Sequence, residues 1–260
     1  MQEEPLITIV LVLRKYFHLG FLTLDSILAQ ETKNYEIIVV EQGATSHDLT
    51  MFKSYAREIC EVISLGEEVP LSAMMNKALK KARGRYVNFL FPGCAYISKF
   101  CQGLVANELQ KNNFPEVFYC AYLSNDAKSL PSVAMEPYFP ETLKQGKMPA
   151  PLHAIWFSKK LLEEIEGFNE QYSYRADFEA ICRLQKKDGA LRMIHSSRVL
   201  VDLAPARKSA SEHYQYVKET ITVLYRHFGL LHAFFWWLTQ DRRGFFKLGL
   251  KTFKQNIKRL

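Results

Sequence analysis

The chain has 260 residues, of which 48% are hydrophobic and 23% charged, and its formal net charge is +7. This balance is typical of a globular protein with a sizeable core, and it excludes collagen-like, low-complexity and disordered chains. The length fits one large domain, or one domain with a smaller appendage, and excludes a multidomain assembly.

The cysteines and the N-terminal sequence indicate an intracellular protein. Five cysteines, an odd number, show neither a CxxC pair nor zinc-ligand spacing with histidine, as expected in a reducing compartment. The chain opens with acidic residues, where a signal peptide would be basic, and no apolar run reaches the roughly 18 residues of a membrane span. We therefore expect a cytoplasmic protein.

The first ninety residues alternate between buried-strand and helical patterns. Such βαβ repetition predicts a parallel sheet covered by helices, with a ligand crevice beyond the carboxyl ends of the strands. Neither a dinucleotide-binding GxGxxG nor a P-loop is present. The predicted strands are 7–13, 36–40, 61–65 and 86–91, and the predicted helices are 17–30, 48–58 and 71–82.

The second half of the chain is less regular. Residues 131–151 are rich in proline and methionine, and their hydrophobic residues show no clear helical or strand periodicity. Beyond them we predict helices at 158–165, 176–187 and 212–227, and strands at 191–194 and 198–203. An aromatic and then basic tail follows.

Segments of the first half resemble glycosyltransferase family 2. Residues 26–30 and 35–40 (SILAQ and YEIIVV) are similar to the family's SILAQ…FEIIVVDDGSTD segment. Residues 75–77 and 82–90 (MNK and ARGRYVNFL) are similar to its MNKG…A.GEYI.FL segment. Each motif alone is only moderately specific for the family, and the resemblance rests on the order and spacing of the motifs.

Segments of the second half extend this resemblance. Residues 153–157, 167–170 and 176–184 resemble the pattern HqamFyr…GGFDE…aaDyelllRL of the branch that makes surface polysaccharides and lipopolysaccharides. The resemblance implies an α/β GT-A fold, Rossmann-like, with a mixed, mostly parallel sheet flanked by helices. We expect a GT-A domain at residues 1–205, with its acceptor half beyond about residue 120, and a C-terminal amphipathic helical extension at residues 206–260.

The family's nucleotide-base site corresponds to Glu41 and Gln42. The amide of Gln42 has both a donor and an acceptor, so it can pair with a uracil edge. These residues with Gly43 also fit a plain turn after a strand. Asn76 is expected to position the donor, or simply to satisfy backbone groups.

The main departure from the family falls at its metal-binding DXD motif. The family's LDaDD.Y.P aligns with residues 90–98 (LFPGCAYIS), which places Phe91, Pro92 and Gly93 where carboxylates are usual. Hard divalent cations require oxygen ligands, and these three side chains offer none. We therefore predict a degenerate DXD motif without metal ligands, and the sequence gives little support to a divalent metal.

Cationic side chains can stabilise a leaving diphosphate without a metal. Arg207 and Lys208 occupy a loop that folds over the donor in related enzymes, although a solvated basic turn would look the same. Arg14 and Lys15 are the other candidates. The predicted donor-binding residues are Arg14, Glu41, Gln42, Asn76, Gly93, Arg207 and Lys208.

The predicted catalytic residue is Asp177. It aligns with the family's general base, which deprotonates the acceptor hydroxyl in an inverting displacement. The alternative is a helix N-cap. His153 and Glu179 are the predicted acceptor-binding residues, and His153 equally fits a hydrogen-bonded structural histidine.

Residues 230–260 combine aromatic and basic residues. Seven bases and one acid occupy the last twenty positions. This composition is typical of a helix in a membrane interface, so we expect peripheral contact with the inner face of the membrane. Packing on the globular domain, or a dimer contact, is the alternative, and a nucleic-acid partner is not expected.

These observations together predict a glycosyltransferase with a nucleotide-sugar donor and a saccharide or lipid-linked acceptor. No resident cofactor is expected beyond that donor substrate. The alternative is a non-catalytic relative with the same fold that binds a nucleotide, a saccharide or a partner enzyme, since fold does not fix function.

Overall fold

The structure of the protein is a computed structural model that describes residues 4–14, 16–55, 61–124, 132–188, 191–203 and 210–240. These residues form one mixed sheet of nine strands. The strands are β1 (Ile7–Leu13), β2 (Tyr35–Gln42), β3 (Glu61–Leu65), β4 (Tyr86–Leu90), β5 (Ala95–Tyr96), β6 (Val117–Ser124), β7 (Ser132–Ala134), β8 (Ile155–Ser158) and β9 (Met193–Leu203).

Helices cover the sheet and extend the chain beyond it. A short 3-10 turn at Leu152–Ala154 leads into β8. The helices are α1 (Phe17–Leu28), α2 (Ser46–Tyr55), α3 (Leu71–Leu79), α4 (Cys101–Lys111), α5 (Pro140–Lys144), α6 (Lys159–Glu164), α7 (Ala176–Asp188), α8 (Ala210–Phe228) and α9 (Leu230–Thr239).

The sheet has the order β3-β2-β1-β4-β8-β6-β9-β5, with β7 paired to β6. Strands β1 to β4 run parallel, whereas β8 is antiparallel to both β4 and β6. All seven residues of β1 are buried, because neighbouring strands pair on both sides and helices cover both faces. The carboxyl ends of β1, β2 and β3 therefore meet at one edge, and the expected mixed α/β fold is confirmed.

The predicted pair of strands at 191–194 and 198–203 is wrong in one respect. A single strand, β9, spans both and pairs in parallel with β6. The register shifts next to Ala121, where β9 carries extra residues, and this irregularity interrupts the strand pattern in the sequence.

The C-terminal helices pack on the same core as the sheet. Val223 and Leu224 of α8 are fully buried, and Ala233 and Trp236 of α9 pack against the core. The glycine between the two helices has φ +89°, a conformation that favours glycine. A domain boundary at residue 205 stays a prediction. None of the helices in the described part of the chain has the length and apolar character that a membrane span requires.

Candidate active site

The loops after β1, β2 and β3 enclose a cavity of about 590 Å³, here called the β2–β3 cavity. Three predicted donor-binding residues, Arg14, Glu41 and Gln42, line it. They converge because parallel strands present their carboxyl ends at one edge of the sheet. Residues that are far apart in the sequence therefore line the same cavity.

Gln42 is the most informative residue in this cavity. Its side chain is buried, and Nε2 donates a hydrogen bond to the backbone oxygen of Glu67. Its Oε1 is buried without a hydrogen-bond partner among the described residues. A buried acceptor without a hydrogen bond raises the free energy of the folded protein, and an N–H group of a ligand would remove this cost by donating to it.

Glu41 and Arg14 have other partners within the same cavity. Glu41 Oε2 accepts a hydrogen bond of 2.9 Å from the backbone N–H of Ala44 and so fixes the turn after β2. Arg14 forms an ion pair with Glu68, whose side chain is mostly exposed. Because exposed ion pairs are weak, the Arg14 guanidinium can exchange this partner for a bound anion.

The structure contains a second and larger cavity of about 720 Å³. Its wall is formed by residues from the segments 145–153 and 173–177, by parts of α3, α8 and α9, and by Phe91, Tyr122 and Glu136. Burial raises the pKa of Tyr174 in this wall, and the charge of Arg14, which lines the β2–β3 cavity, acts against that shift, so these two side chains interact electrostatically. A cavity of this size suits a sugar-sized ligand.

Asp177 lies in the wall of the large cavity, in the first turn of α7. Its Oδ1 accepts a hydrogen bond of 2.7 Å from the N–H of Phe178. Because α7 begins at Ala176, Asp177 lies inside the helix rather than at the capping position before it. The helix N-terminus favours a negative carboxylate here.

The N-terminal end of α7 is held by a residue that the sequence did not indicate. Glu219 of α8 is buried, and its carboxylate accepts hydrogen bonds from the backbone N–H groups of Ser173 (3.0 Å), Tyr174 (2.8 Å) and Arg175 (2.9 Å). This carboxylate therefore fixes the loop that leads into Asp177. A glutamate in an amphipathic helix gives no local signal of such a contact.

Arg175 is a second residue that sequence reasoning missed. It lines the large cavity, and its side chain is only 5% exposed. Its Nη2 donates a hydrogen bond of 2.7 Å to the oxygen of Gly146, and Nη1 donates one of 3.1 Å to the hydroxyl of Tyr216. These partners lie far away along the chain, so only the folded structure shows them together.

His153 also lines the large cavity. Burial lowers the pKa of its imidazole to about 4, so the ring is neutral at pH 7. Its Nε2 is buried and has no hydrogen-bond partner among the described residues. A neutral ring with one unused nitrogen can exchange a hydrogen bond with a ligand hydroxyl in this cavity.

The residues at the DXD position do not fit a metal. Phe91 lines the large cavity, and Gly93 has φ +89° with its N–H bonded to Thr23 Oγ1 at 3.0 Å. Within the described ranges, no group of three or more His, Cys, Asp or Glu side chains is placed to hold a metal ion. The aromatic ring, proline and glycine present here lack the oxygen ligands that a divalent cation needs.

Three predicted site residues, Gly93, Asn76 and Glu179, are not among the residues that line either cavity. Asn76 donates to the oxygen of Phe168 and accepts from its N–H, both at 2.8 Å, and so holds the loop before α7. Glu179 is buried in an ion pair with Arg183 at 2.9 Å and faces His227. These contacts assign the side chains of Asn76 and Glu179 to internal packing. Predicted residues Lys15, Arg207 and Lys208 lie outside the described residues.

The family and the relatives that this chain matches are all described as glycosyltransferases. Residues 22–107 match the family described as glycosyl transferase family 2. An uncharacterized glycosyltransferase of Rickettsia prowazekii is 28% identical over 186 residues, which cover 68% of this chain and 57% of the relative. The uncharacterized glycosyltransferase EpsJ of Bacillus subtilis is 22% identical over 231 residues, 81% of this chain and 67% of EpsJ. The chain thus spans little more than half of the rickettsial relative.

Solved structures agree with the sequence matches. TarS from S. aureus, determined with UDP-GlcNAc, superposes with a TM-score of 0.64 at 15% identity, covering 85% of this chain and 67% of that one. The mannosyltransferase PcManGT from Pyrobaculum calidifontis, determined with GDP-Man and Mn²⁺, gives a TM-score of 0.62 at 16% identity, covering 96% of this chain and 80% of the other. The fold of the chain is therefore the GT-A fold of the glycosyltransferases.

Proposed function

We propose that this protein is an inverting glycosyltransferase that acts in the synthesis of a cell-surface polysaccharide. It transfers a sugar from a nucleotide donor to a saccharide or a lipid-linked acceptor. The observation that carries the proposal is the presence of two cavities in one GT-A fold, one lined by Gln42 and the other by Asp177. The choice of a surface polysaccharide rests on the resemblance of residues 153–184 to that branch.

The β2–β3 cavity receives the nucleotide of the donor. The unpartnered Gln42 Oε1 accepts a hydrogen bond from a base N–H, and the wall of the cavity holds the ring in place. TarS and PcManGT, which have the same fold, were determined with UDP-GlcNAc and GDP-Man. Uracil and guanine both carry a base N–H that can meet this acceptor, so a UDP-sugar and a GDP-sugar are the first donors to test.

Asp177 is the catalytic base in this mechanism. Its carboxylate takes the proton of the acceptor hydroxyl, and the hydroxyl oxygen forms a bond to the anomeric carbon. The bond between that carbon and the diphosphate oxygen breaks, and the nucleoside diphosphate leaves with the electron pair. Attack opposite the leaving group inverts the configuration at the anomeric carbon.

Cations take over the charge of the leaving diphosphate. Arg14 is suited to this role because it lines the β2–β3 cavity, its charge acts on Tyr174 in the wall of the large cavity, and its partner Glu68 is exposed. Arg207 and Lys208 are the other proposed cations. A preorganised guanidinium stabilises developing negative charge at a fixed distance, as a metal ion does in related enzymes.

The acceptor reaches the large cavity from a membrane surface. One side of α9 lines the cavity with Trp236, while Phe234 and Phe235 on the same helix are 49% and 62% exposed. The last twenty residues of the chain hold seven bases, which attract anionic lipid headgroups. We therefore place the protein at the cytoplasmic face of a membrane, where a lipid-linked saccharide is presented.

A binding protein without catalysis is the second candidate function. The observation that favours it is the absence of carboxylates at Phe91, Pro92 and Gly93, which removes the usual metal site of the fold. Such a protein would keep the β2–β3 cavity and bind a nucleotide without transferring the sugar.

Titration calorimetry with UDP, GDP and a panel of nucleotide sugars tests the two candidates. Each titration is run with and without Mn²⁺, and donor hydrolysis is measured for every donor that binds. We expect binding without metal, and at least about tenfold weaker binding in Gln42→Leu because the amide contacts are lost. Gln110→Leu, on an exposed position of α4, is the matched control.

Asp177→Asn separates catalysis from binding. We expect donor affinity within about twofold of the original and a fall in hydrolysis of roughly 10²- to 10⁴-fold, because an amide cannot accept the proton. Asp48→Asn, in the first turn of α2 and outside both cavities, is the matched control. Binding without any hydrolysis or transfer would favour the binding protein, and no binding at millimolar donor would contradict both candidates.

A further inference from the structure

The guanidinium of Arg175 is held rigidly inside the large cavity wall. Besides its hydrogen bonds to Gly146 and Tyr216, it stacks on the ring of Phe178 at 4.1 Å and lies 4.9 Å from the ring centre of Tyr216. Aromatic faces attract a cation but do not neutralise it. The positive charge therefore stays available in a site that water reaches poorly.

This charge has no carboxylate partner among the described residues. Arg183 on α7 shows the contrast, because its Nε lies 2.9 Å from both carboxylate oxygens of Glu179. Arg175 Nε is instead buried without a hydrogen-bond partner. A buried charge without a counter-ion is costly, so a bound anion would lower the free energy of this arrangement.

The position of Arg175 assigns the anion to the acceptor. Its partners Gly146 and Tyr216 both come from the second half of the chain, whereas the base-binding Gln42 belongs to the other cavity. Lys147, exposed on the same wall, adds a second positive charge. The wall of the large cavity carries these two bases against Asp177 and Glu136, whereas the β2–β3 cavity carries Arg14 against three glutamates, so the large cavity is the less acidic of the two.

We propose that Arg175 binds an acidic group, a carboxylate or a phosphate, on the acceptor saccharide. The inference rests on the proposed function, because it requires the large cavity to hold the acceptor. The planar guanidinium fork fits the paired oxygens of either group. The acceptor is accordingly an anionic saccharide, such as one that carries a uronic acid or a sugar phosphate.

Binding of small probes to the full chain tests this assignment. Calorimetric titrations use glucuronate, glucose 6-phosphate, neutral glucose and UDP. We expect at least one of the two anionic sugars to bind more tightly than glucose, and the stronger of them identifies the acidic group. Arg175→Gln should weaken that binding at least about tenfold and leave the affinity for UDP within about twofold.

Two further variants keep the test decisive. Arg226→Gln is the matched control, because Arg226 donates to the hydroxyl of Tyr172 at 3.0 Å and is not part of the cavity wall. Arg175→Lys keeps the charge without the fork, so we expect weakening of about three- to tenfold even where Arg175→Gln does not fold.

Three outcomes would overturn the inference. They are the absence of anion binding to the original protein, an unchanged anion affinity in both Arg175 variants, and a loss of UDP affinity in parallel with the anion affinity, which would assign Arg175 to the donor. Failure of the proposed function gives a different result, because the original protein would then bind neither UDP nor GDP in the titrations described above while still binding the anionic sugar through Arg175.

Discussion

The carboxylate of Glu219 accepts a hydrogen bond of 2.9 Å from the backbone N–H of Arg175, two residues before Asp177. Through this contact and those to Ser173 and Tyr174, helix α8 determines where α7 begins. The C-terminal helices are therefore part of the machinery that positions the proposed base.

Replacing Glu219 by alanine should destabilise the protein and misplace Asp177. Removal of the carboxylate leaves three backbone N–H groups without their acceptor, so we expect the free energy of unfolding to fall by about 2–4 kcal/mol. Glu219→Gln keeps one acceptor oxygen and should cost about half as much. Urea unfolding followed by circular dichroism measures both.

Lys218→Ala is the matched control for Glu219→Ala. Lys218 is the exposed neighbour on α8, and its loss should change the free energy of unfolding by less than about 0.5 kcal/mol. Equal stability of the Glu219→Ala protein and the original would show that the three N–H groups find other acceptors.

The donor half of the fold could be predicted from the sequence because its strands have apolar centres and alternate with helical patterns. Ile7–Leu13 is buried on both faces, and such a strand leaves an unambiguous pattern. Strand Val117–Ser124 and helix Cys101–Lys111 were not predicted. The helix contains a glycine and a buried glutamine, which weaken its helical period, whereas residues 117–121 are a buried apolar run that would have supported a strand prediction.

The residues of the candidate site also differ in how far the sequence could indicate them. Gln42 and Asp177 were predicted by alignment with the family's motifs, and each lines a cavity, while their roles stay predictions. Arg175 could not be predicted, since its environment comes from Gly146 and Tyr216, which are remote in sequence. Asn76 and Glu179 match family motifs, but tertiary packing directs their side chains to Phe168 and Arg183.

Glu36 should make stability depend on acid pH. Burial would raise the pKa of its carboxyl, but hydrogen bonds from Thr8 (2.7 Å) and Arg83 (2.6 and 2.8 Å), with the charge of Arg83, outweigh burial and hold the pKa below 4.5. A lowered folded-state pKa stabilises the protein above the unfolded value, and this contribution is lost as pH falls through the folded pKa.

Glu36→Gln tests this pH dependence. We expect the variant to be about 1–2 kcal/mol less stable at pH 7, and the difference from the original to shrink as pH falls below 4.5. Arg83→Gln should reduce the effect without abolishing it, because Thr8 and the backbone N–H of Arg83 remain. A pH-independent difference in urea unfolding would contradict the assignment.

His153 should act in the same direction as Glu36 but over a higher pH range. Its pKa is lowered by burial from 6.5 to about 4, so the unfolded chain binds a proton more readily than the folded one. Stability is therefore lost as pH falls below 6.5, by about 2 kcal/mol at pH 5 relative to pH 7. His153→Gln should remove this loss between pH 7 and pH 5. The same slope in both proteins would contradict the prediction.

The exposed face of α9 should bind membranes that carry negative charge. It presents four large apolar side chains at helical spacing, namely Leu230, Leu231, Phe234 and Phe235, which are 49% to 69% exposed. Their insertion between headgroups would bury this surface, and the basic residues after position 241 would lie near the lipid phosphates.

Sedimentation with phosphatidylglycerol and phosphatidylcholine vesicles measures this binding. We expect the protein to prefer the anionic vesicles, to lose that preference at high salt, and to bind at least about tenfold more weakly as the double variant Phe234→Ser/Phe235→Ser. Phe139→Ser is the matched control, because Phe139 is 57% exposed and lies next to α5. If the double variant sediments as the original does, α9 does not contact the membrane, and the acceptor must reach Asp177 from solution.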